Sequence, residues 1–193
     1  MEGFEVTKIG KHIFCILDAG NSSFYMVEGD KKAAVIDTGI TTGKKITPLL
    51  RELTDKPLLL VATHVHCDHI YHMDEFEEVY MCHDEKKIEE TTLRTLTAGR
   101  LKPWDEIHDI HTDSVISLGG TELRICQVPG HTPGSIVILE TRENYLFTGD
   151  AIGSGCGVWM QIPGSTDLKT YYDSLIHPVS YTHLRAHETC ADL

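Results

Sequence analysis

Basic residues are scarce in this sequence of 193 residues: Lys and Arg number 17 against 29 Asp and Glu, a formal net charge of −12. Phosphate backbones are held by clustered Lys and Arg, so nucleic acid is excluded as an expected partner. Long apolar runs are lacking as well. None approaches the ~20 residues that cross a bilayer, and Met1-Glu2-Gly3-Phe4-Glu5 is no basic leader into an apolar stretch. The expectation is a cytoplasmic protein, without membrane association, that acts on a small-molecule substrate. Its six cysteines (Cys15, Cys67, Cys82, Cys126, Cys156 and Cys190) form no C-x-x-C pair. That removes the zinc-knuckle and thioredoxin readings and leaves mostly reduced, buried thiols.

What is present is a 41% hydrophobic chain, enough for one domain with its own core. Short apolar runs at Glu5 to Ile9, His12 to Leu17, Phe24 to Glu28 and Ala33 to Ile36, separated by Gly10-Lys11 and Gly29-Asp30, predict an antiparallel meander. Ile46, Leu49, Leu50 and Leu53 recur at helical spacing, with Pro48 at the start or at a bend. The run Leu58 to Ala62 predicts a buried strand ending at Thr63-His64. A strand at Val79 to Cys82 is followed by a polar stretch, Asp84 to Thr97, expected to be one helix. Strands return at Val115 to Leu118, Glu122 to Val128, Ile136 to Leu139 and Tyr145 to Phe147. Leu168, Tyr171, Tyr172, Leu175 and Ile176, behind Thr166 or Asp167 as N-cap, predict an amphipathic helix. Together these elements suggest a mixed sheet sandwich with helices outside.

Histidine is plentiful, at 12 residues, and its placement is uneven. The stretch Thr63-His64-Val65-His66-Cys67-Asp68-His69 leaves a buried strand as H-x-H-x-D-H. Imidazoles two residues apart in extended chain project to one side and can share a metal, while Asp68 and His69 face a second. Two further segments add ligand types at strand ends: Gly130-His131-Thr132-Pro133-Gly134-Ser135 and Phe147-Thr148-Gly149-Asp150. Imidazole and carboxylate suit zinc, and also iron or manganese. By contrast His12, His72, His83, His108, His111 and His177 match no motif and are expected at the surface, with His72 near the cluster. Cys67 is expected to be a spectator. The Gly-rich stretch from Ser154 to Met160 either covers the cleft with Trp159 or packs that ring in the core.

H-x-H-x-D-H, G-H-T-P-G-S and F-T-G-D, in this order, resemble the metallo-β-lactamase superfamily, especially its glyoxalase II-like branch. The resemblance implies an α/β, four-layer αββα sandwich with the site at one edge between the sheets. It implies that His64, His66 and His131 hold one metal, that Asp68 and His69 hold the other, and that Asp150 bridges both. Asp37, in Ile36-Asp37-Thr38-Gly39, matches a position that supports the His loop. Two zinc ions are expected in the full-length protein, giving a hydrolase that uses a metal-bound hydroxide on an ester, thioester or lactone-like substrate. Asp68 and Asp150 carry the catalytic roles. The alternatives are a mononuclear iron persulfide dioxygenase and a metal-binding, inactive fragment.

The resemblance also implies a last histidine ligand after Asp150, and the chain stops before a match. Beyond His177 the text loses its periodicity, and Val179 to Thr189 resembles translated sequencing-adapter DNA. The domain is therefore read as 1–177, truncated, with 178–193 a non-native tail.

Overall fold

In a computed structural model, which describes residues 3–153, 157–179 and 185–186, four short strands open the chain: β1 (Phe4–Lys8), β2 (Ile13–Asp18), β3 (Ser23–Glu28) and β4 (Ala33–Ile36). They pair antiparallel in sequence order, the expected meander. Helix α1 (Thr47–Leu53) then carries the chain over the sheet, with Pro48 in its first turn, where a missing N–H costs nothing. It returns as β5 (Leu58–Val61), parallel to β4. A four-residue helix, α2 (Cys67–Ile70), follows, and then β6 (Val79–Met81), parallel to β5.

The polar stretch after β6 is not one helix. It is a 3-10 turn over His83–Lys87, a break in which Ile88 is extended, and helix α3 (Glu90–Leu96). The break has a physical cause: Ile88 turns into the core, and Glu89 caps α3 by accepting the Thr91 and Thr92 amides. A two-residue strand, β7 (His108–Asp109), completes a seven-stranded sheet; no sequence signal marks it.

The second sheet holds β8 (Val115–Ser117), β9 (Glu122–Gln127), β10 (Ile136–Glu140) and β11 (Tyr145–Phe147), all antiparallel. Helix α4 (Leu168–Val179) follows, with Asp167 accepting the Thr170 amide at its start. It continues past His177, beyond the domain end read from the sequence. A short strand, β12 (Arg185–Ala186), pairs parallel with β11.

Three apolar layers separate four structural layers. Ile13, Val27, Ile36, Leu59 and Val61 of the first sheet meet Leu123, Ile125, Ile136, Ile138 and Phe147 of the second. The outer face of the first sheet packs Val35 and Leu60 under Leu49 and Leu50 of α1 and Leu93 and Leu96 of α3. The outer face of the second packs Cys126 and Val137 under Tyr171 and Leu175 of α4. This is the αββα sandwich. Each large side chain withdrawn from water contributes about 1.5–3 kcal/mol, so the central layer and the layer under α1 and α3 both hold the fold together. Helix α4 is less covered than its sequence pattern predicts: Leu168, Tyr172 and Ile176 stay exposed. Among the described residues no helix is long and apolar enough to cross a membrane.

Candidate metal centre

Strands β4, β5 and β6 run parallel, and the loops after their C-terminal ends converge. The first delivers Asp37, the second His64 to His69, the third Glu85. From the second sheet, the β9–β10 loop delivers His131, and Asp150 follows β11 in a 3-10 turn. The two sheets are tied here by the Ile136 amide, which donates to the Thr63 carbonyl at 3.0 Å. Gly149 makes the approach possible, since a Cβ there would lie 2.4 Å from the Thr63 hydroxyl and the backbone φ is +48°.

Three imidazoles form the inner side. His66 Nδ1 lies 3.0 Å from His64 Nε2 and 2.9 Å from His131 Nε2. Two of the three have the outer nitrogen pinned, whereas His66 Nε2 is buried with no hydrogen-bond partner among the described residues. His131 Nδ1 donates to the Trp159 carbonyl at 2.8 Å, and His64 Nδ1 lies 3.2 Å from the Thr63 hydroxyl. Each of those rings therefore offers its Nε2 lone pair to the centre. Burial, joined by repulsion among the rings, holds His64 well below the usual histidine range and His66 at about 4. Burial lowers His131 as well.

The outer side is built differently. Asp68 Oδ2 lies 3.3 Å from His69 Nε2. Asp150 points one oxygen at each side, Oδ1 3.6 Å from His69 Nε2 and Oδ2 3.4 Å from His131 Nε2. The two carboxylates are partly open, their side chains 39% and 48% exposed. A recess of about 150 Å³ adjoins them, lined by Ser22, Tyr25, Asp37, His69 and Phe147 among others. Burial opposes protonation of His69, but Asp37 and Asp68 outweigh it and raise its pKa well above the usual range. Conversely, burial opposes ionisation of Asp68, and His69 outweighs it, keeping that carboxyl charged.

These donors fit metal ions. Converging imidazole nitrogens that resist protonation need a cation between them, and the outer carboxylates add negative charge beside them. His64, His66 and His131, and separately His64, His69 and Asp150, place candidate ligand atoms within 4.8 Å of one another. All six residues expected from the sequence meet in this one cleft. Asp68 and His69 reach it from a helical turn, rather than from the extended loop expected.

Asp37 has the supporting position expected. Its Oδ2 accepts from His69 Nδ1 at 2.8 Å, its Oδ1 accepts the Thr63 amide at 2.7 Å, and the Thr63 hydroxyl donates to it as well. The residue sits at φ 61°, a left-handed conformation that Asp tolerates. His72 does not face the metal ligands: its Nδ1 lies 2.9 Å from Glu75. The surface placement expected for His72 and His12 is overturned: both are buried, with His12 against Glu140 and Glu143. Trp159 is 70% exposed, which overturns its core reading; residues 154–156 lie outside the described residues.

Glu85 escaped sequence reasoning. It sits in the charged run His83-Asp84-Glu85-Lys86-Lys87, which reads as a solvated surface, yet it is fully buried, and burial pushes its carboxyl up to about 7. The usable signal was topological: Asp84 and Glu85 follow the third parallel strand, as Asp37 follows the first, and only the fold decides which of the two turns inward.

The profile of the Metallo-beta-lactamase superfamily matches residues 17–183. An acyl-coenzyme A thioesterase, MBLAC2 of Gallus gallus, is 27% identical, over 86% of this chain and 73% of its own length. The probable metallo-hydrolase YqgX of Bacillus subtilis is 31% identical, over 75% of this chain and 69% of its own. Among solved structures, a metallo-β-lactamase from Pontibacter korlensis superposes with a TM-score of 0.69 at 21% identity, covering 92% of this chain and 86% of its own.

Proposed function

We propose that this chain, which belongs to the metallo-β-lactamase superfamily and is a metallo-hydrolase of that fold, cleaves a thioester of a small acyl group. One observation carries the reading: an imidazole triad and a carboxylate pair share one cleft, with Asp150 turned toward both. The thioester preference is supported by the likeness to acyl-coenzyme A thioesterases.

His64, His66 and His131 would hold one zinc ion, and Asp68, His69 and Asp150 a second; nitrogen and oxygen donors of this kind suit zinc. When bound, such ions lower the pKa of a water toward ~7 and polarise a carbonyl oxygen. The chain's own residues do the rest. Asp68, ionised and open to solvent, accepts a hydrogen bond from the attacking water and orients it. Asp150 carries negative charge to both halves of the cleft. Asp37 holds His69 by its Nδ1, so that Nε2 faces inward. The recess beside Tyr25 and Phe147 has room for the acyl group.

The test is hydrolysis of acyl-coenzyme A and of S-lactoylglutathione, with zinc per chain measured on the same sample. Zinc-dependent release of free thiol from either is expected, and the preferred thioester fixes the branch. Zinc binding without thiol release from any thioester would leave the fold assignment standing and remove the thioesterase reading.

A further inference from the structure

Glu85 presents a physical problem. A carboxyl taken fully out of water is unfavourable unless it is well compensated, and none of the groups that donate to it here, the Val65 and Gly134 amides and the Thr132 hydroxyl, is a cation. Its Oε1 accepts the Val65 amide at 3.1 Å and the Thr132 hydroxyl at 2.7 Å. Val65 lies between His64 and His66; Thr132 follows His131. One oxygen atom thus joins the two segments, far apart in sequence, that carry the imidazole triad.

The surroundings are shaped to admit it. At Gly134 a Cβ would lie 2.6 Å from Glu85 Cγ and 2.8 Å from Cδ, so only glycine fits without displacement. The Ser135 and Thr132 hydroxyls lie 2.8 Å apart, and the Thr132 amide donates to Ser135 Oγ at 3.1 Å. Ser135 can therefore donate to Thr132 while Thr132 donates to Glu85. The 3-10 turn after β6 projects Glu85 inward while its neighbours Asp84 and Lys87 pair with each other outside.

We propose that Glu85 is a positioning residue, a brace that fixes the His64–His66 segment against the His131 loop and so sets how tightly the imidazole triad holds a metal ion. This rests on the metal-centre reading above, yet assigns the binding strength to a group that touches no ligand atom. The brace is made of hydrogen bonds accepted by one oxygen. Glutamine keeps that oxygen; alanine does not.

The experiment is a zinc titration of the full chain against a chromophoric chelator, with Glu85→Gln, Glu85→Ala, Thr132→Val and, as a distant control, Thr121→Val. Thr121 bonds to Glu140 at a turn of the second sheet and serves to match any loss of melting temperature. Expected results are a zinc affinity within ~3-fold of the parent for Glu85→Gln, a ~10–100-fold loss for Glu85→Ala, a smaller loss for Thr132→Val, and none for Thr121→Val. If Glu85→Ala does not fold, Thr132→Val and Glu85→Gln decide the matter. Unchanged affinity in Thr132→Val, or a loss in Glu85→Gln equal to that of alanine, overturns the brace. Failure of the parent chain itself to bind zinc overturns the metal centre beneath it.

Discussion

The two sides of the cleft solve the problem of holding charge in opposite ways. The inner side is dry and uncharged: His64, His66 and His131 resist protonation because they are buried together, and the outer nitrogens of His64 and His131 are held by a hydroxyl and a carbonyl. The outer side is wet and ionic: Asp68 and Asp150 open to solvent, and Asp37 and Asp68 draw positive charge onto His69. Burial decides the first, ion pairing the second. On the proposed function, the inner side supplies affinity and geometry and the outer the chemistry at a solvent-facing edge, with Asp150 turned toward both.

Breaking the inner side has the largest expected effect. His66→Ala removes the nitrogen that faces both other rings, and kcat/KM for thioester hydrolysis should fall by about 10³-fold or more, together with zinc per chain. A variant that kept its zinc and its rate would show that the triad is not the holding side.

Asp68→Asn attacks the other side alone. Thioester kcat should fall ~10²-fold while the inner triad still takes up zinc, because the lost group orients the water rather than anchoring that ion. Loss of all metal in this variant would merge the two sides into one unit.

A subtler separation comes from Asp37→Ala. Without its carboxylate His69 loses the partner at Nδ1, and metal affinity on the outer side should drop by ~10–100-fold while the inner side is unchanged. Stepwise zinc titration distinguishes the two classes of site.

The smallest effect concerns pH. His66 has its folded-state pKa depressed to about 4, from an ordinary value of 6.5, so between these values the unfolded chain binds the proton and the folded one does not. Stability of the metal-stripped protein should therefore fall by about 1–2 kcal/mol as pH drops from 6.5 toward 4. Chemical unfolding across that range checks this, and His66→Gln should make the curve shallower, leaving the part due to His64 and His131. A flat profile in the parent would mean that the inner rings are solvated.

Much of this was legible from local signals. The meander, the buried run before Thr63 and the H-x-H-x-D-H stretch depend on neighbours in sequence, and His131 and Asp150 stand at strand ends marked by glycine. The misreadings share a cause. Asp84 to Thr97 is helical by composition, yet Ile88 is drawn into the core and splits it. His12 looks solvated until the turn before β2 meets Glu140 and Glu143 from the other sheet. The exposed stripe of Leu168, Tyr172 and Ile176 shows the reverse, apolar spacing without a covering layer among the described residues.

By itself the sequence determined which side chains could bind metal and in what kind of strand-end setting, because ligand chemistry and a short motif are properties of a few adjacent residues. Only the tertiary structure decided that His131 and Asp150 meet the His cluster, that Asp37 orients His69, and that a glutamate from a charged run lies buried between two ligand loops. Those facts depend on parallel strands from distant parts of the chain ending at one edge, and on how deeply each group is withdrawn from water.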